Sequence, residues 1–261
     1  MSKTEGQRLY AIGDVHGELA KLQVIHEWIS LDVARHRGTP HQVIHIGDYV
    51  DRGPDSRGVI DFLQKGQEAG MPWRTLFGNH DRYLLRYVTD PGWEDPRTAG
   101  RLHWLDPRLG GAATLRSYGV NVPDDTPGSD MFAFQSEAQD VVPMAHVAFL
   151  EKCALSIHIG AYFFAHAGVR PGVPLSEQVE QDLIWIRNDF LYDTRDHGAV
   201  IVHGHTPVDQ VENHINRIAI DTGAVFGGSL SVLVLADDEV GVLNPDGVVD
   251  LPPMRGLRIR S

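Results

Sequence analysis

The chain has 261 residues, 42% of them hydrophobic and 22% charged, and its 35 acidic against 23 basic side chains give a formal net charge of −12. That size suits one compact domain with an inserted subregion, and the acidic balance argues against a basic nucleic-acid binder or a polybasic membrane module. The single cysteine, Cys153, can form neither an internal disulfide nor a thiolate zinc site. Short apolar runs alternate with amphipathic stretches, the pattern of an α/β fold. In chain order, 8–13 (RLYAIG) predicts a buried strand, and 18–35 a helix with Leu19, Leu22, Ile25, Trp28, Ile29 and Leu31 toward one face. A strand at 42–47 follows, then a helix at 56–69 burying Val59, Ile60, Phe62 and Leu63 behind the candidate caps Asp55 and Ser56, then a strand at 73–78.

From about 82 to 150 the character changes. TDPGWEDPRTAG and NVPDDTPGSD are rich in turn formers, and the segments around them read as short helices. This stretch is therefore expected as a helical, cap-like insertion within a single domain spanning 1–261. Strands resume at 161–168, 199–204, 217–223, 229–236 and 239–243, ahead of a Pro-containing tail whose basic ending, RGLRIRS, is too short for a nucleic-acid patch. The opening MSKTEGQRLYAIG has no apolar signal-peptide run, and no stretch approaches the roughly 18 apolar residues of a spanning helix. The expectation is a cytoplasmic protein with neither nucleic acid nor membrane as partner.

Five strand candidates end in, or lead into, a glycine with a metal-type ligand beside it. These are GDVHG (13–17), GDYVDRG (47–53), GNHD (78–81), HAG (166–168) and GHTP (204–207). Loops leaving the carboxyl ends of strands in an α/β sheet converge on one edge, so the five clusters are expected to meet. Asp14 and His16 are one residue apart, and in an extended segment both would point to one side and grip one cation. The two oxygens of Asp48 make it a natural bridge between two ions, Asn79 offers a neutral carbonyl oxygen, and His166 and His205 offer imidazoles. Oxygen and imidazole donors without thiolate suit two divalent ions, Mn²⁺ foremost with Fe or Zn²⁺ as alternatives. Sharing Asp48 would set them about 3.5–4 Å apart, the spacing used for in-line displacement at phosphorus.

Together and in this order, the five motifs resemble the phosphoprotein phosphatase family of calcineurin-like metallophosphoesterases, in its bacterial serine/threonine protein phosphatase branch, from about residue 8 to 235. The resemblance implies a sandwich of two β-sheets flanked by helices. It makes Asp14, His16 and Asp48 ligands of a first metal, and Asp48, Asn79, His166 and His205 ligands of a second. His80 is similar to the family's catalytic acid, with Asp51 orienting its ring, and Arg52 to its phosphate-gripping arginine; WIR at 185–187 makes Arg187 a second such residue. The implied reaction is attack on phosphorus by a hydroxide held between the metals, with a phosphorylated protein or small phosphoester as substrate. Symmetric diadenosine tetraphosphate hydrolases resemble the chain at several of the same motifs. Asp51 before Arg52-Gly53, and Thr206-Pro207 after His205, favour the protein phosphatase. A catalytically silent metal-binding scaffold would leave His80, Asp51 and Arg52 without purpose. Other histidines read as fillers: His45 lies within a strand rather than after one, and His203 lacks the preceding glycine of a GHxH pair. Asp221 in DTG reads as a structural turn.

Overall fold

The alternation of side chains along each strand dictates a two-layered core. In the computed structural model, which describes residues 2–98, 101–123 and 125–254, the first half runs β1 (Arg8–Ile12), α1 (Leu19–Arg35), β2 (His41–His45), α2 (Ser56–Glu68), β3 (Trp73–Thr75) and α3 (Asn79–Thr89). Three short helices follow, α4 (Gly111–Ser117), α5 (Gln135–Val141) and α6 (Met144–Lys152). The second half comprises β4 (Ser156–Ile159), β5 (Tyr162–Ala165), α7 (Glu180–Trp185), α8 (Asn188–Leu191), β6 (Val200–His203), β7 (Glu212–Asn213) and β8 (Arg217–Ala219). It ends with β9 (Val232–Ala236), β10 (Glu239–Asn244) and β11 (Gly247–Asp250). The basic ending at 255–261 lies outside the described residues.

One sheet has the order β11-β10-β9-β1-β2-β3, the other β4-β5-β6-β8-β7. Within the first, β1 pairs in parallel with β2 and β2 with β3; within the second, β5, β6 and β8 are parallel. Leu9 and Ala11 of β1, Ile44 of β2 and Leu233 of β9 point into the space between the sheets. There they meet Ile157, Phe164, Val202 and Ile218 from the second sheet. The alternate residues Tyr10 and Ile12 face outward and pack with Leu22, Ile25 and Ile29 of α1 and with Val59, Ile60 and Leu63 of α2. The fold is thus the expected α/β sandwich of two sheets flanked by helices. Asp55 caps α2 by accepting the Gly58 N–H at 2.7 Å.

The structure corrects several details. Leu31 is 57% exposed rather than on the buried face of α1. The strand at 73–78 is only three residues long, and Leu76 carries it on as an isolated parallel bridge to Ala154. β4, β7 and β11 are too short and too polar to stand out as apolar runs. Between α3 and β4, α4 packs on α2, α5 on α3, and α6 on both. Among the described residues no helix is long and apolar enough to cross a membrane.

A buried ion pair ties the first sheet to α1. Asp32 accepts from Arg8 Nε and from Tyr10 Oη, each at 2.7 Å, and Arg8 also pairs with Glu239 of β10. Removing one partner of a buried pair leaves an uncompensated charge, at about 3–5 kcal/mol. Asp32→Ala is expected to destabilise the fold by the lower end of that range, because Glu239 still faces Arg8. The midpoint of chemical denaturation reads it, and a change below about 1 kcal/mol would mean that the pair does not brace α1.

Candidate active site

The carboxyl ends of β1, β2, β3, β5 and β6 release the five motif loops along one edge of the sandwich. Short cross-loop bonds then fix their spacing. Gly204 N–H donates to the His166 carbonyl at 2.8 Å, and His205 N–H to Asp14 Oδ2 at 3.0 Å. A Cβ added at Gly204 would lie 1.9 Å from Asp14 Oδ1, and one at Gly78 2.2 Å from Asp48 Oδ1. Those two glycines are required for backbone to touch the carboxylates. His16, Asp48, Asp51, Arg52 and His205 all have φ between +44° and +75°. Non-glycine residues avoid this left-handed region, and such strain persists only where the surroundings enforce it.

Asp48 sits at the middle. Its Oδ1 accepts the His80 N–H at 2.9 Å, and its Oδ2 lies 3.5 Å from His16 Nε2 and 3.3 Å from His166 Nε2. Two groups of ligand atoms gather around it, one from His16, Asp48 and His80, the other from Asp48, His166 and His205, each within 4.8 Å of one another. Asn79 Oδ1 lies 3.0 Å from His166 Nε2. The Val50 carbonyl faces His16 Nδ1 at 2.7 Å and the Ile46 carbonyl faces His166 Nδ1 at 3.1 Å. Each carbonyl is placed to take an Nδ1 proton and aims Nε2 at the centre, the orientation of a metal-binding imidazole. Asp14 Oδ1 is buried and, among the described residues, has no hydrogen-bond partner. An orphaned carboxylate oxygen, two ligand groups with a common aspartate, and oriented imidazoles fit a pair of divalent cations.

The backbone from Asp14 to His16 is not the extended segment expected. His16 turns left-handed toward Asp48 and His80, whereas Asp14 reaches under the loop after β6. Burial and the neighbouring Asp221 push the Asp14 carboxyl well up. Burial opposes charge on His166 too, yet Asp48 and Asp14 beside it raise its pKa to about 9.

His80 Nδ1 lies 2.6 Å from Asp51 Oδ2. Asp51 is fully buried and accepts two further donors, Trp104 Nε1 at 2.9 Å and Thr114 Oγ1 at 2.7 Å. Burial pushes Asp51 up to about 7 against these donors, and pushes His80 down to about 3. Arg52 donates from Nη1 to His16 Nε2 at 2.6 Å and from Nη2 to His80 Nε2 at 2.9 Å, and Arg187 Nε donates to His205 Nε2 at 3.0 Å. Every site residue read from the sequence therefore gathers within one centre.

Three residues that matter here escaped that reading. Asp81, fully buried, accepts the backbone N–H groups of Asp48, Tyr49 and Gly78 at 2.8–2.9 Å and locks two motif loops together. Trp104 and Thr114 reach Asp51 from the 82–150 region. Nothing local marks the latter two; Asp81 at least stands within GNHD. His45 is a sheet residue, 3.0 Å from His26 across their Nε2 atoms. His203 lies 3.3 Å from Arg217 Nη1. Asp221 accepts the Gly223 N–H and closes a turn.

Residues 7–236 match the calcineurin-like phosphoesterase family. The chain is 28% identical to serine/threonine-protein phosphatase 1 of Salmonella typhimurium, covering 87% of this chain and 91% of that one. It is 25% identical to the asymmetrical bis(5'-nucleosyl)-tetraphosphatase PrpE of Oceanobacillus iheyensis, covering 87% and 88%. The cold-active protein-tyrosine phosphatase of a psychrophilic Shewanella has the same fold, with a TM-score of 0.61 at 15% identity over 94% of this chain and 80% of that one. With its motif loops gathered on one edge of the sandwich, the chain belongs to the calcineurin-like phosphoesterase family and is a metal-dependent phosphoric-ester hydrolase.

Proposed function

We propose that the chain is a dinuclear-metal phosphomonoesterase of the serine/threonine protein phosphatase type, acting as a single domain over 1–261. The observation that carries this reading is the His80–Asp51 pair held beside Arg52, with His80 itself at the edge of the ligand group of His16 and Asp48. Asp14, His16 and Asp48 would hold one cation, and Asp48, Asn79, His166 and His205 the other. Bound there, two divalent ions such as Mn²⁺, Fe or Zn²⁺ supply positive charge to the phosphoryl oxygens and acidify the attacking water. Arg52 and Arg187 offer forked donors to the phosphoryl group. With Arg52 turned from His80 Nε2 to the phosphoryl group, that nitrogen is free to carry the proton for the departing alkoxide, while Asp51 holds Nδ1–H and so fixes the ring and its tautomer. The 82–150 region acts as a cap over this side of the site, a role supported by its Trp104 and Thr114 donors to Asp51. The Salmonella relative, alike over nearly its whole length, supports a protein substrate.

A second reading, hydrolysis of a dinucleoside polyphosphate, is supported by the PrpE relative, matched as fully. Asp51 before Arg52-Gly53 and Thr206-Pro207 after His205 favour the first reading over the symmetric hydrolases.

Two substitutions separate metal holding from proton transfer. Asp48→Asn is expected to lose bound metal and activity together, whereas His80→Asn keeps its metal and loses about 10²–10⁴-fold in kcat, read by elemental analysis beside steady-state rates. Metal-replete His80→Asn at the parent rate would remove His80 from proton transfer. Trp104→Phe, which deletes one donor to Asp51 and keeps the ring, is expected to lower kcat about tenfold at unchanged metal content. On a panel of phosphoserine peptide, phosphotyrosine peptide and diadenosine tetraphosphate, turnover is expected to be fastest on phosphoserine. Fastest turnover of the dinucleotide would establish the second reading, and bound metal without turnover on any would mean a scaffold.

A further inference from the structure

Next to the His80–Asp51 pair, Tyr83, Tyr87, Trp93, Leu102, Trp104 and Phe132 enclose a cavity of about 210 Å³. Trp104 belongs to both places, since its indole forms a wall and its Nε1 donates to Asp51. Tyr83 packs against His80, with ring centroids 6.2 Å apart. Neither the metal ligands nor the proton path uses this space. We propose that the cavity binds a purine ring, laid against its aromatic walls and read by Tyr83, His103 and Glu94.

Three features lead to that chemistry. The walls are flat and rigid: Tyr87 and Trp104 pack on each other with ring centroids 4.8 Å apart, and Tyr83 and Trp93 meet edge to face at 5.8 Å, so each pair forms an aromatic corner. Such surfaces take a planar ring by stacking. The volume falls below the roughly 300–1,000 Å³ of sites for drug-sized ligands, which leaves space for one ring system and not for a peptide segment. The polar lining then selects among rings. Among the described residues, His103 Nδ1 is buried with no hydrogen-bond partner, and the buried Tyr83 Oη has Thr98 beside it and a second hydrogen-bonding position left over. Buried polar atoms are nearly always paired, so His103 Nδ1 calls for a hydrogen-bonding ligand, which the ring nitrogens of a purine supply with Tyr83 Oη as a second contact. Glu94, exposed at the cavity, can accept from an exocyclic amine. A phenyl ring would satisfy none of the three.

This inference goes beyond the protein-phosphatase reading and does not depend on it. The ring can come from a nucleotide substrate, whose phosphates would extend toward Arg52, or from a free purine nucleoside or nucleotide that modulates the neighbouring pair. Calorimetric titration of the full chain with adenosine and with AMP tests it without turnover. Saturable binding is expected, at least tenfold weaker in Leu102→Phe, which fills the cavity, and in Phe132→Ala, which removes a wall at its exposed rim and serves if the first variant misfolds. Both variants are expected to keep the parent kcat on p-nitrophenyl phosphate. If adenosine inhibits diadenosine tetraphosphate hydrolysis competitively and spares p-nitrophenyl phosphate, the ring belongs to the substrate. If it alters kcat on p-nitrophenyl phosphate, the ring is a separate effector; either result upholds the site. No binding of adenosine or AMP at millimolar concentration, equal affinity in the parent and both variants, or binding of phenyl phosphate in the cavity in preference to adenosine would overturn it.

Discussion

A buried carboxylate held by backbone N–H groups governs the geometry of this centre. Asp81 takes three backbone N–H groups, one from the start of its own helix and two from the loop after β2, and thereby sets the distance between Asp48 and His80. Both the shared ligand and the proposed acid owe their positions to it. Asp48 in turn accepts the His80 N–H, so the two loops are stitched in both directions. Side-chain precision of this kind comes from secondary contacts that immobilise the working groups.

The electrostatics explain why such stitching is needed. Asp14, Asp48, Asp81 and Asp221 converge in a space from which water is largely excluded, and Asp14, Asp81 and Asp221 are each pushed up by burial and by a neighbouring carboxylate. Asp48 alone is held well down, since His166, His80 and His16 outweigh its burial. Gathering like charges in a low dielectric is unfavourable until cations join them. The global charge of −12 is thus no obstacle to an anionic substrate, because what a phosphoryl group meets is local: two proposed cation positions and two guanidinium groups.

Much of this was legible in the sequence, and the reason is geometric. Each motif follows a strand, and parallel strands deliver their ends to one edge, so the order of GDVHG, GDYVDRG, GNHD, HAG and GHTP already implied convergence. The apolar run at 8–13 likewise implied a buried strand, and the structure buries both its faces, Leu9 and Ala11 on one and Tyr10 and Ile12 on the other. The illegible part is what depends on distance along the chain. Trp104 and Thr114 lie 53 and 63 residues from Asp51, and only packing of the 82–150 helices brings them there. The extended backbone expected from Asp14 to His16 is not found, because His16 is left-handed. β4 and β7 were missed because four and two residues carry too little period to register.

The five left-handed residues of the centre bear on how this chain can be improved. Each stores conformational energy of about 1–3 kcal/mol that the surrounding hydrogen bonds sustain, and each is also a proposed ligand, acid-orienting group or hydrogen-bond donor to the phosphoryl group. Stability and activity therefore draw on the same positions. Selection for thermal tolerance alone would relax these loops toward glycine or asparagine before it touched the sandwich core, and would discard the chemistry while leaving the fold intact.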